Sequence, residues 1–109
     1  MQINFETNKT QNQAFGAIKP DKYAKNIINY RANSPKKYMI VEDIIHSMDS
    51  SKVEATVHSH YKGRDRLVAF VKDLEGKEIF MQESLLDRIF HSPAKFLNKV
   101  REAMLKIEK

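Results

Sequence analysis

The sequence predicts an α+β fold: a three-stranded antiparallel meander, open to extension by N-terminal strands, packed on one face by amphipathic helices. Three observations predict it. Between residues 53 and 82 three short apolar segments are separated by the turns Lys62-Gly63-Arg64-Asp65 and Asp73-Leu74-Glu75-Gly76. Two of the chain's three glycines fall at those reversals. On either side, apolar residues recur at helical spacing behind the pairs Ser34-Pro35 and Ser92-Pro93. A length of 109 residues suits one domain, read here as 1–109 with residues 7–13 as a flexible loop.

Residues 2–6 form the first strand candidate, with Ile3 and Phe5 on one side. The polar run 7–13 follows, and 14–18 is a second extended segment in which Gly16 marks a bulge or a close backbone approach. Pro20 and Asp21 open a helix, since proline suits a first turn and aspartate suits the positive helix end. Its apolar side is expected to carry Tyr23, Ala24, Ile27, Ile28 and Tyr30, and it ends near Asn33. Ser34 then caps a second helix with Pro35 at its first position. That helix runs to about residue 49 with Tyr38, Val41, Ile44, Ile45 and Met48 as its stripe.

In the meander, 53–61 alternates cleanly, whereas 66–72 is apolar at both parities and reads as the central strand. Even-length turns would set Val57 opposite Phe70 and Phe70 opposite Ile79. The core face then holds Val53, Ala55, Val57, Val68, Phe70, Ile79 and Met81. The other face combines Thr56, His58 and His60 with Leu67, Ala69, Val71, Phe80 and Gln82, a mixture too polar for a buried layer and too apolar for an idle surface. Parallel strands joined by crossovers are not expected, because the meander turns are too short for them. Residues 83–90 read as a short helix broken at His91-Ser92-Pro93. The last helix gathers Phe96, Leu97, Val100, Ala103, Met104 and Ile107 within roughly 120°, with Lys95, Lys99 and Lys106 aligned beside them.

Composition narrows the function classes. The absence of cysteine excludes disulfides, thiolate metal clusters and a cysteine nucleophile. No apolar run approaches the roughly 18 residues of a membrane span, and the first residues lack the basic-then-apolar pattern of a signal peptide, so a cytoplasmic location is expected. A formal charge of +5 favours encounter with phosphate polymers or acidic surfaces. No catalytic residue and no cofactor is expected. Glu42 and His46, four apart on one helix, read as a solvated pair, and Ser34-Pro35-Lys36-Lys37 reads as a helix cap.

Arg66, Ala69, Phe70 and Val71 resemble the central-strand motif of RNA-recognition domains. Val68 and Asp73 stand where that motif has stacking aromatics, and Leu67 where it has glycine, so its function is not carried over. The order of helix 35–49, meander and last helix resembles the αβββα order of double-stranded RNA-binding domains. That resemblance implies duplex contacts from the first strand-connecting loop and the opening of the last helix, where Lys62, Arg64, Lys95 and Lys99 stand here. The family's Gly- and Ala-rich motif is missing, and 84–91 is additional.

Three expectations follow. The first is a small binding module that contacts nucleic-acid phosphates through Lys62, Arg64, Lys95, Lys99 and Lys106. The second is a protein-interaction or self-associating module that uses the face bearing His58, His60, Leu67, Val71 and Phe80. The third is a metal site on His58 and His60, which two-residue strand spacing places on one face.

Overall fold

The computed structural model of the chain describes residues 17–59 and 66–108. The candidate strand at 2–6, the run 7–13, and Lys62, Arg64 and His60 lie outside those residues. The described chain runs β1 (Ala17–Pro20), α1 (Lys22–Ala32), α2 (Pro35–His46), β2 (Glu54–Ser59), β3 (Leu67–Lys72), β4 (Glu78–Gln82), α3 (Leu85–Phe90) and α4 (Pro93–Glu108). The α+β class is as the sequence predicts, and among the described residues the sheet has four strands in the order β1-β2-β3-β4.

One pairing corrects the expectation of purely antiparallel neighbours. β1 lies parallel to β2, with Ile18 beside Ala55 and Pro20 beside Val57. A parallel pair needs a long crossover, and α1 with α2 supplies it. Helix starts follow the anticipated capping chemistry, except that Pro20, expected in the first turn of α1, is the last residue of β1. Asp21 caps α1 by accepting from the Ala24 N–H at 2.8 Å, and Ser34 caps α2 by accepting from the Lys37 N–H at 3.2 Å. Asn33 ends α1 in the left-handed region, φ 45°. The buried stripe of α1 is Ala24, Ile28 and Ala32, and both Tyr23 and Tyr30 are exposed, so the expected stripe is rotated.

The larger correction concerns register. Val57 lies opposite Ala69 rather than Phe70, and Phe70 opposite Phe80 rather than Ile79. Each hairpin is shifted by one residue, which turns β3 over while leaving β2 and β4 as expected. The second hairpin shows why. Asp73 donates its N–H to the Lys77 carbonyl at 2.9 Å, leaving the three-residue loop Leu74-Glu75-Gly76 with Gly76 at φ 90°. Three-residue loops close through a left-handed residue, which glycine supplies. The Asp73 carboxylate fastens the loop by accepting from the N–H groups of Glu75 and Lys77.

Leu67, Ala69 and Val71 are therefore core, fully buried with Ala55 and Val57 beneath Val41, Phe96, Leu97, Val100 and Met104. Leu67 and Val71, expected on the outer mixed face, belong to the helix-covered side. Val68 and Phe70, expected in the core, point the other way. On α4 the predicted face holds, with Phe96, Leu97, Val100 and Met104 buried.

Candidate interaction surface

α3 is packed inside out. At 100° per residue Leu85, Ile89, Leu86 and Phe90 occupy an arc of about 140°, yet all four are exposed, Phe90 to 71%. The one buried residue of the helix is Asp87. Its carboxylate accepts from Lys99 Nζ at 2.9 Å and stands 3.1 Å from Lys95 Nζ, while its backbone N–H is capped by Ser84 Oγ at 3.0 Å. Hydrogen bonds from Lys99 and Lys95 pull the Asp87 carboxyl from an ordinary 3.8 to about 2, outweighing the opposing effect of burial.

A buried ion pair fastens both ends of α3. Arg31, from the last turn of α1, meets Glu83 in a two-pronged contact, Nη1 to Oε1 at 2.6 Å and Nη2 to Oε2 at 2.8 Å. Their side chains are 6% and 0% exposed. Glu83 Oε1 also accepts from the Leu67 N–H at 3.2 Å, and the Glu83 carbonyl accepts from Arg66. Arg31 Nη2 further donates to the carbonyls of Arg88 and His91. Charged groups thus hold α3 against the body and leave its apolar side facing out. Beside it runs a groove of about 450 Å³ lined in part by Tyr30, Asn33, Lys37, Ile89 and Phe90.

β4 leads directly into α3 through Glu83 and Ser84, and it is the end strand of the described sheet. Among the described residues no strand pairs with its outer edge. Ile79 and Phe80 are exposed, to 42% and 53%. On the outer face Phe80 packs on Phe70 with ring centroids 5.2 Å apart, and Phe70 meets the His58 ring at 5.8 Å. His58 Nδ1 lies 2.7 Å from Asp21 Oδ2. Burial pushes the Asp21 carboxyl up, but hydrogen bonds from the Ala24 N–H and from His58 outweigh it, so the net shift is downward.

Of the residues proposed for the outer face, the structure brings His58 and Phe80 together through Phe70 and removes Leu67 and Val71 to the core. The Asp21 contact engages one ring nitrogen of His58. Among the described residues no group of three His, Asp or Glu side chains is arranged to hold a metal ion. Lys95 and Lys99 share Asp87, whereas Lys106 is exposed near the far end of α4. Glu42 and His46 do meet, at 3.4 Å, in an exposed chain that runs from the Tyr38 hydroxyl to Asp49. The hydrogen bond to Asp49 is the main influence that raises the His46 pKa, and the Glu42 bond raises that of Tyr38.

Leu85, Leu86, Ile89 and Phe90 were not among the sequence candidates. Their signal is visible in the sequence as an apolar arc on a helix with only six residues before the Ser92-Pro93 restart. Spacing alone does not say whether such an arc faces in or out. No known protein family, characterised protein or solved structure matches this chain.

Proposed function

We propose that the chain is a non-enzymatic protein-interaction module whose docking surface is the β4 edge with the apolar side of α3. The observation that carries this reading is the inverted burial of α3, with a carboxylate inside and Leu85, Leu86, Ile89 and Phe90 outside. Single exposed apolar side chains are ordinary, but a contiguous group of this kind marks an interaction site. Burying a fully exposed side chain of this kind is worth about 1.5–3 kcal/mol. The four are 55–71% exposed, so a partner that covers them all gains on the order of 4–8 kcal/mol before the costs of association.

The phosphate-contact reading draws less support from the described residues, because Asp87 neutralises part of the charge of Lys95 and Lys99. A photo-reactive amino acid at Phe90 tests the docking reading in the cell of origin, with the same probe at the equally exposed Tyr23 as control. A discrete adduct from position 90 and none from position 23 is the expected result. Equal labelling from both positions, or none from position 90, contradicts it.

A further inference from the structure

We infer that the occupant of this surface is a second copy of the chain, its β4 running antiparallel to the first with the two-fold axis at Phe80. This rests on the docking reading above and adds the occupant and the register. The β3–β4 ladder closes at one end on Asp73 N–H to the Lys77 carbonyl, 2.9 Å, and at the other on Glu83 N–H to the Leu67 carbonyl, 2.8 Å. Hydrogen-bonded pairs alternate along an antiparallel ladder. Ile79 and Met81 therefore direct their peptide groups toward β3, and Glu78, Phe80 and Gln82 direct theirs outward. An incoming antiparallel strand requires that spacing.

The edge lacks proline and lysine, and its one charged residue, Glu78, stands at its end. Glu78–Gln82 also contains no glycine, and its three central residues are Ile79, Phe80 and Met81. β1, at the opposite side of the described sheet, is four residues long, contains Lys19 and ends on Pro20. Unguarded apolar edges are templates for another chain.

The strand is also complementary to itself. With Phe80 opposite Phe80, Glu78 falls opposite Gln82 at both ends, so each of these pairs exchanges its two backbone bonds and no like charges are opposed. The Phe70–Phe80 row then continues across the axis. Exposed area on Ile79, Phe80, Leu85, Leu86, Ile89 and Phe90 amounts to on the order of 700 Å² per protomer, near the roughly 800 Å² per partner of a standard stable interface.

The cysteine-free background makes the register directly testable. Facing Cα atoms of a hydrogen-bonded antiparallel pair lie about 5.5 Å apart, within the span of a disulfide. Under mild oxidation Phe80→Cys is expected to give a covalent dimer, Glu78→Cys and Gln82→Cys little by themselves, and an equal mixture of those two a cross-linked pair. Sedimentation equilibrium of the unmodified chain is expected to show a dimer. Phe80→Pro, which removes an outward N–H and leaves the β3 ladder intact, is expected to weaken it at least about tenfold while the chain remains folded by circular dichroism. Phe80→Lys, which opposes like charges at the axis, gives the same readout should proline disturb the strand.

A chain that stays monomeric at hundreds of micromolar overturns the proposal. So does self-linking of Glu78→Cys as fast as that of Phe80→Cys. A monomer whose position-90 probe labels a different protein overturns the second copy and leaves the docking reading standing. A silent probe together with a dimer insensitive to both Phe80 variants removes both.

Discussion

Asp87 is the residue on which the orientation of α3 turns, because its carboxylate faces Lys95 and Lys99, with His91 Nε2 at 3.9 Å, and so keeps the polar side of the helix inward. Its pKa is lowered in the folded chain, so its contribution to stability is fully present above the ordinary carboxylate value of 3.8. That contribution is lost as pH falls toward about 2. Acid titration of unfolding by circular dichroism is expected to show wild-type stability declining through that window, with a shallower decline for Asp87→Asn. Equal slopes would contradict the assignment. Arg31 and Glu83 are more deeply buried, and removing one partner strands the other charge. Arg31→Met is expected to cost about 3–5 kcal/mol in urea unfolding, and adding Glu83→Leu is expected to recover part of it, the rest being the cost of the Leu67 N–H left without its acceptor. A cost below about 1 kcal/mol for the single variant would show that the pair contributes little to fixing this junction.

Among the elements, β3 decides what is core and what is surface. Leu67→Ala is expected to cost about 2–5 kcal/mol in urea unfolding, whereas Phe90→Ser on α3 is expected to change stability by about 0.5 kcal/mol or less. The reverse order would invert both assignments. The helices, their Asp21 and Ser34 caps and the three meander strands were legible because capping chemistry and periodicity are local. Which side of β3 faces in was not. Leu67, Ala69 and Val71 are as apolar as Val68 and Phe70, so periodicity is silent, and the choice passes to loop length. One residue in the closure at Asp73 and Lys77 decides it. The parallel pairing of β1 was equally hidden, since it depends on how far the α1–α2 crossover carries the chain. At the site, the sequence placed His58 and Phe80 on the correct face. It missed the outward ridge of α3, because the charge–charge contacts of Asp87 and Glu83 that orient it join positions 12 and 52 residues apart.

At the scale of the whole molecule, a net charge of +5 acts in opposite directions on the competing functions. Two like-charged copies repel, and salt screens that repulsion, so self-association is expected to hold or strengthen from about 50 to 200 mM salt. Binding to nucleic-acid phosphates weakens steeply over the same range. Sedimentation at both salt concentrations distinguishes the two, and dissociation of the dimer by added salt would argue for an interface held by charge rather than by Ile79, Phe80 and the α3 ridge. The most direct measurement is hydrogen exchange of individual backbone N–H groups along β4 as protein concentration is raised. The second-copy account predicts that Ile79 and Met81 are protected at every concentration, while Glu78, Phe80 and Gln82 pass from fast to slow exchange as the outer edge is covered. Exchange at those three positions that stays fast at all concentrations would contradict it.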